Sequence, residues 1–201
     1  MAVQSGTYRG VSAADRRAER RERLVEATLT VWADPDTRTT MTAVCSAAGL
    51  SERYFYESFT GLDEAQSAVL AEVAAEIEQT TLRAAEAAGA DPAARIHASV
   101  RAFLDLLEVD PRKGRVAIIE AGAIAPLRAR RTELLRHFAR LSTSEAHELG
   151  LRRREREDDL AGLLFIGGVA ELITAVLEGA IEATADEIVD TVARSYLGLY
   201  G

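Results

Sequence analysis

Residues 40–59 read TMTAVCSAAGLSERYFYESF, and this stretch decides the fold of the N-terminal part of the chain. Val44 and Ala48 are four residues apart, which places them on the same face of a helix, and the small Cys45 leaves room for a close helix crossing. Gly49 then supplies a turn conformation that other residues resist. The stretch therefore predicts two short helices joined by a tight turn, which is a helix-turn-helix.

The second of these helices has Phe55 and Phe59 at its inward positions, and Ser51 stands where its capping residue belongs. Its exposed N-terminal end is the part that enters a DNA major groove in this motif. Glu52, Arg53 and Tyr54 are expected near that exposed end. The helix therefore predicts a surface that reads DNA.

Glu52 is the unusual residue at this end of the helix, because its carboxylate repels phosphate. It accepts a hydrogen bond from cytosine N4, or it pairs with a neighbouring arginine, or it lies favourably at the positive end of the helix dipole. The second and third interpretations are favoured over the first, and the sequence alone does not choose between them.

The pattern T-x-x-x-[VI]-[small]-x-x-A-G-[LV]-S-x-x-x-[FL]-Y-x-x-F, preceded by an arginine-rich helix, resembles the N-terminal domain of TetR-family regulators. The resemblance covers roughly residues 14–66. The segment GGVAEL at 167–172 is similar to the penultimate, dimer-interface helix of many members. The resemblance implies a repressor whose three-helix DNA-binding domain precedes a helical domain that dimerises and binds a small-molecule inducer.

The same resemblance assigns DNA contacts position by position. Arg53 and Tyr54 are expected to reach base edges. Thr40, Thr42 and Tyr56 are expected to contact backbone phosphates. The chain departs from the family at Gly61-Leu62-Asp63, where a lysine usually opens the fourth helix, and first-helix arginines are expected to compensate. The complete predicted DNA-binding set is Thr40, Thr42, Ser51, Arg53, Tyr54, Tyr56, Arg17 and Arg20.

Charge is distributed unevenly along the chain. The formal net charge is -8, which alone argues against nucleic acid because neutralising phosphates requires cations. Residues 1–60 carry eight arginines and eight carboxylates, however, whereas residues 61–201 carry 24 carboxylates and 16 basic residues. The first-helix arginines are either a solvated face paired with Glu19 and Glu22 or phosphate-steering groups, and the helix-turn-helix favours steering.

Helical periodicity extends over the whole chain, and proline and glycine separate its segments. The sequence predicts the all-α class, with about nine helices and no strands. The domain boundary is placed at Gly61, which gives a head, 1–61, with an arginine-rich tail at about 1–13, and a body, 62–201. The approximate helix bounds are 12 or 14–33, 40–47, 51–57, 61–88, 92–109, a segment with Val116, Ile119 and Ala123, 126–149, 155–177 and 186–199.

The body is predicted to bind a largely apolar inducer in a pocket between its helices. Amphipathicity suggests a lining made of Phe103, Leu107, Ile119, Phe138 and Leu164, with Glu120 or Glu171 as polar handles.

The last two helices are predicted to form a four-helix seam with those of a second copy. The Gly167-Gly168 pair indicates close backbone approach at such a seam, although packing within one chain explains the pair nearly as well. A two-fold dimer implies a palindromic double-stranded operator. The predicted interface residues are Gly167, Gly168, Glu171, Val192 and Tyr196.

The sequence argues against several other kinds of site. The single cysteine, Cys45, excludes an intramolecular disulfide and a thiolate metal site, and it fits a packed small residue better than a redox sensor. His97, His137 and His147 share no ligand spacing, so neither a metal nor a cofactor is predicted. A phosphate loop, a nucleophile elbow and H-E-x-x-H are all missing from the sequence, so an enzyme is not expected.

The expected location is the bacterial cytoplasm, on the nucleoid. The uncharged run at 160–170 is too short to cross a bilayer of roughly 30 Å, so no membrane contact is predicted. The first twenty residues lack the apolar core of a signal peptide.

Two rival functions stay open at this point. A helical lipid- or hydrophobe-binding protein whose head no longer binds DNA fits the missing lysine and the acidic balance. An enzyme on an all-helical scaffold is a weaker alternative. Neither the inducer, nor the operator, nor the choice between repression and activation follows from the sequence.

Overall fold

A computed structural model describes residues 12–151 and 155–201, and within these ranges the chain is helical and contains no strand. The predicted all-α class is confirmed. The predicted arginine-rich tail, apart from its last two residues, lies outside the described residues. The helices are α1 Ala13–Ala33, α2 Met41–Ala48, α3 Glu52–Tyr56, α4 Leu62–Ala87, α5 Pro92–Val109, α6 Pro111–Gly114, α7 Ala121–Ala123, α8 Ala125–Glu148, α9 Glu155–Leu177 and α10 Ala185–Tyr200.

Helix starts follow the capping signals of the sequence. At α1 the Ser12 hydroxyl accepts from the Asp15 backbone N–H, and the Asp15 carboxylate accepts from the Ser12 N–H, both at 3.0 Å. These hydrogen bonds from Ser12 lower the pKa of Asp15. Thr184 caps α10 with the same capping box, and Asp91 with Pro92 opens α5 as predicted. Each cap satisfies N–H groups that a first helical turn leaves unpaired.

The N-terminal compact unit extends to Ala71, inside α4. Because the side chains of Ala65 and Val69 are buried, the first turns of α4 belong to this unit, whereas the sequence places the domain boundary at Gly61. Cys45 is buried as expected of a packed small residue, and burial raises the pKa of its thiol. Large buried side chains of this unit include Leu24, Leu29, Trp32, Phe55, Phe59 and Leu70.

The C-terminal unit, Glu72–Gly201, is built around the pairs α5 with α10 and α8 with α9. Val192 and Tyr196, predicted at the dimer interface, lie inside its core and are only 3% and 2% exposed. The Tyr196 hydroxyl donates to the Ser142 carbonyl at 3.0 Å, and burial raises the pKa of Tyr196. That part of the interface prediction is wrong, because both side chains are already covered by their own chain.

Residues 111–123 follow one helical path whose middle, Arg115–Glu120, is π-helical. If α6, the π-helical segment and α7 are counted as one helix, the described residues contain nine helices, the number that the sequence predicts. The wider turn places Ala121, five residues after Val116, in the buried position, and Ala123 is exposed. The predicted segment with Val116, Ile119 and Ala123 is helical, but the wider turn leaves Ala123 off the buried side that an ordinary 3.6-residue period gives.

Candidate nucleic-acid interface

The turn between α2 and α3 has the geometry that the sequence predicts. Gly49 adopts a left-handed conformation with φ of 62°, and its N–H donates to the Ser46 carbonyl at 3.1 Å. A guanidinium nitrogen of Arg23, on α1, donates to the Ala48 carbonyl at 2.6 Å. Sequence reasoning missed this contact and weighed the first-helix arginines only as a solvated face or as phosphate-steering groups. The turn is thus held from α1 as well as by its own backbone.

Two inward aromatic side chains anchor α3: Phe55 on the helix and Phe59 three residues after its end, although the sequence places both on the helix. Phe55 is fully buried and Phe59 is 2% exposed, and their ring centroids are 5.6 Å apart. The neighbouring side chains point outward: Arg53 is 85% exposed, Tyr56 is 60% exposed and Tyr54 is 38% exposed. A helix of five residues has little stability of its own, so this anchor is what presents the polar face.

The exposed face of α3 is joined to α1 through Arg20 and Glu57. The Arg20 guanidinium lies 4.6 Å from the centroid of the Tyr54 ring, and a nitrogen of the same group is 3.7 Å from the Glu57 carboxylate. Glu57 also accepts a hydrogen bond from Arg53 Nε at 3.1 Å. Sequence reasoning missed Glu57, although the four-residue spacing from Arg53 is the signal that predicts such a pair.

The remaining predicted contact residues of the helix-turn-helix carry hydroxyl groups. The Thr40 hydroxyl caps α2 by accepting from the Ala43 N–H at 3.2 Å. Thr42 is exposed and donates to a Glu52 oxygen at 3.4 Å. Ser51 occupies the N-cap position of α3 but makes no capping hydrogen bond, so its predicted capping role is wrong. Glu52 lies in the first turn of α3, where the helix dipole favours a carboxylate.

The ends of α1 and α4 complete the charges of this unit. Arg17 is exposed on α1 and Arg20 is half-buried. At the start of α4 the Glu64 carboxylate accepts from the Thr60 hydroxyl and the Thr60 N–H, both at 2.6 Å, and these bonds lower the pKa of Glu64. Asp63 is exposed beside it. The start of α4 therefore offers carboxylates where the resembled family has a lysine.

The residues predicted to line an inducer pocket occupy three different environments. Leu107 is buried in the core of the C-terminal unit, and Phe103 packs half-buried against that core. Ile119 and Phe138 are also half-buried. Glu120 forms an ion pair with Arg115 at 2.9 Å. Two other predicted lining residues, Leu164 and Glu171, lie on the exposed face of α9, so their assignment to an interior pocket is wrong.

Helix α9 exposes an apolar face. Leu160 and Leu164 are both 66% exposed, and Leu163 is also exposed. A Cβ atom added at Gly167 or Gly168 would meet no heavy atom within 4 Å, so packing within the chain does not explain the glycine pair. Residues 157–177 of α9 are long and apolar enough, by length and composition, to cross a bilayer. This segment is longer than the uncharged run at 160–170 on which the sequence prediction of no membrane contact rests. A single such helix is only a weak indication of a membrane span.

Neither a protein-family model nor a curated protein matches the sequence. Solved structures do match. The fatty acid degradation regulator FadR from Bacillus halodurans has a TM-score of 0.75 and 18% identity over 89% of this chain and 95% of its own. A putative TetR-family regulator from Syntrophomonas wolfei has a TM-score of 0.74 and 13% identity over 90% and 95%. A TetR-like regulator from Rhodococcus sp. RHA1 has a TM-score of 0.67 and 17% identity over 89% and 94%. The chain therefore has the fold of TetR-like transcriptional regulators.

Proposed function

We propose that the chain is a DNA-binding transcriptional regulator of the TetR type, a repressor that leaves a palindromic operator when a small-molecule inducer binds. The observation that carries the proposal is α3, a short helix that presents an exposed arginine and two exposed tyrosines while Phe55 on the helix and Phe59 just after it are buried. Its place of action is the bacterial cytoplasm, on the nucleoid.

The side chains on and beside α3 suit the two kinds of DNA contact. Arg53 reads a guanine edge with paired donors, and Tyr54 packs against a thymine methyl or donates to phosphate. The exposed Thr42 and Tyr56 and the unbonded Ser51 hydroxyl suit phosphate oxygens. Thr40 already caps α2, so its contact with phosphate shares a hydroxyl that also stabilises the motif.

Phosphate steering in this proposal comes from α1. Arg17 and Arg20 supply positive charge on the same unit as α3, while Asp63 and Glu64 at the start of α4 oppose it. Affinity for DNA should therefore fall as salt rises, because each neutralised phosphate releases counterions. The small number of cations predicts a shallow salt dependence.

The exposed face of α9 supports a homodimer through the last two helices. Leu160, Leu163 and Leu164 present apolar side chains that water covers in a single chain. Beside them the two glycines allow a second backbone to approach closely. A two-fold dimer through this face contains two α3 helices related by the same symmetry axis. Two symmetry-related reading helices match two inverted half-sites, so the operator is proposed to be palindromic.

The proposed inducer is largely apolar and binds among the helices of the C-terminal unit. Helix α4 is the proposed connection to the DNA, because it is one helix from Leu62 to Ala87. In the C-terminal unit, Glu76 pairs with Lys113 at 2.7 Å and Glu78 with His137 at 2.8 Å. An inducer that shifts these partners would tilt α4 and change operator affinity, by no more than its own preference between the two states.

The proposal is tested by fluorescence anisotropy with the full chain on the intergenic DNA beside its own gene and on duplexes selected from a random library. The titrations are run at two salt concentrations with wild type, Arg53→Ala and Tyr54→Ala. Arg136→Ala, an exposed arginine of α8, is the matched control. We expect salt-dependent binding that both α3 substitutions weaken and that the control leaves unchanged.

The opposite result has a clear meaning. If the wild type binds neither the intergenic DNA nor any selected duplex, the head does not bind DNA. The alternative function, a helical protein that binds hydrophobic ligands, would then be favoured.

A further inference from the structure

We propose that Glu57 is a positioning residue for base recognition: it holds the Arg53 guanidinium by its Nε edge, so that the opposite edge faces a guanine. The inference rests on the proposed function, since it concerns how the same surface selects its DNA. Glu57 itself is not expected to contact a base.

The contact is defined by geometry on a single helix end. Glu57 is the C-cap residue of α3, with φ of -69° and ψ of -19°. One oxygen of its carboxylate accepts from Arg53 Nε at 3.1 Å. The two Nη groups of Arg53 make no hydrogen bond to the described residues, and they are the donors that form a fork on guanine O6 and N7.

Glu57 is itself held in place from α1. Its other carboxylate oxygen lies 3.7 Å from a nitrogen of Arg20, and the Arg20 side chain is only 22% exposed. The Arg20 guanidinium also covers the Tyr54 ring at 4.6 Å. The carboxylate thus lies between the half-buried Arg20 of α1 and the exposed Arg53 of α3, so the position of Arg20 restrains that of Arg53.

This placement matters because Arg53 has few other restraints. Its side chain is 85% exposed, and a long exposed side chain loses rotamer freedom when it binds. A guanidinium already held at one edge loses less freedom and presents its plane in one orientation. Glu57 should therefore strengthen the choice of the correct base more than it strengthens binding in general.

The negative charge of Glu57 acts in the opposite direction on affinity. A carboxylate beside the DNA surface repels phosphates on every sequence. Removing it should raise affinity for unrelated DNA while lowering the preference for the correct base. A role in stability alone would lower binding to all duplexes together.

The experiment compares full-length wild type, Glu57→Ala, Glu57→Gln and Arg53→Ala on three probes. These are a duplex selected by the wild type from a random library, the same duplex changed at the guanine whose preference Arg53→Ala abolishes, and an unrelated duplex. Glu19→Ala, on the exposed surface of α1, removes one carboxylate elsewhere on the same unit and is the charge control. Thermal melting of each variant shows that the fold is retained.

We expect Glu57→Ala to reduce the preference for that guanine about tenfold, within the range of one bidentate arginine contact. Affinity for the unrelated duplex should rise, because a carboxylate that repels phosphates is gone. Glu57→Gln should keep part of the preference, because its amide oxygen still accepts from Nε. In Arg53→Ala, adding Glu57→Ala should change the preference no further. Glu19→Ala should raise general affinity without altering the preference.

Three results would overturn the proposal. One is an unchanged guanine preference in Glu57→Ala. Another is an equal loss of affinity on all three duplexes. The third is an equal effect of the alanine and glutamine variants, which would reduce the role of Glu57 to its charge. If the wild type selects no sequence at all, the proposed function falls as well, whereas selection by the wild type with any of the three results overturns this inference alone.

Discussion

Within the residues that the structure describes, α3 and α9 each leave one face largely exposed, but the two faces differ in chemistry. Helix α3 exposes an arginine and two tyrosines around buried phenylalanines, whereas α9 exposes leucines and a glycine pair. Polar and aromatic groups on a short helix suit a charged, hydrated surface such as DNA. Exposed leucines beside glycines suit another apolar helix. The amino-acid composition of an exposed helix face therefore indicates which kind of partner it binds, whereas exposure alone does not.

The largest expected effect follows from removing the anchor of α3. Phe55→Ala should lower the free energy of unfolding of the N-terminal unit by about 3 to 5 kcal/mol, because Phe55 is fully buried. Thermal melting should show this loss, and DNA binding should disappear. Self-association through α9 should persist by size-exclusion chromatography with light scattering, which would separate the two surfaces experimentally.

Tyr56→Ala is the matched control on the same helix, because Tyr56 is the exposed aromatic neighbour of Phe55. Its cost in stability should stay below about 1 kcal/mol, as for most surface substitutions. Simultaneous loss of self-association in Phe55→Ala would contradict the independence of the two faces.

The second effect concerns the face of α9. Leu164→Glu should leave the monomer folded, because Leu164 is 66% exposed in the single chain. In a two-fold dimer the substitution places two charges in one apolar seam, so the dissociation constant should rise about 100-fold or more. Light scattering over a concentration series measures this change. A wild type that is monomeric at all concentrations would refute the proposed seam.

The sequence predicted α3 better than α9, and the reason is the distance between interacting residues. The positions of Gly49 and Phe55 follow from spacing within a few residues, and the structure places both as expected. The contact from Arg23 to the Ala48 carbonyl joins residues that are 25 apart. No local pattern indicates such a contact, so only the packed structure reveals it.

In α9 the difficulty is that apolar residues occur on several sides of the helix. Periodicity then indicates a helix but not which side faces the core, and Leu164, predicted to line an interior pocket, is exposed. On α10 the resemblance assigns Val192 and Tyr196 to a seam, whereas both side chains lie in the core of the C-terminal unit. The π-helical segment adds a second limit, because one wider turn shifts every later position.

The third effect tests whether α3 reads bases by geometry or by charge. Arg53→Lys keeps the positive charge but loses the planar pair of donors. The preference for the guanine should fall about tenfold while the salt dependence stays the same. Anisotropy titrations on the selected and altered duplexes measure both quantities.

Arg17→Ala on α1 should give the reverse pattern, since Arg17 is exposed and proposed to contact phosphate. Binding should weaken on all duplexes, the slope of log affinity against log salt should fall by about one, and base preference should stay intact. For Arg53→Lys, an unchanged preference for the guanine would contradict bidentate recognition by Arg53.

The smallest expected effect distinguishes close backbone approach from simple exposure on α9. Gly168→Ala should stabilise the monomer by about 1 kcal/mol, because alanine favours a helix interior and the added Cβ meets no atom within 4 Å. Urea unfolding in the monomeric Leu164→Glu background measures this gain.

In the otherwise wild-type chain the same substitution should weaken self-association, since the methyl group would stand where a second backbone approaches. Gly162→Ala is the control with the opposite sign, because its Cβ would lie 2.8 Å from the Ala139 carbonyl oxygen and destabilise the single chain. A stabilised monomer with undiminished self-association would show that Gly168 is exposed on α9 without taking part in the seam, and the leucines alone would then define that face.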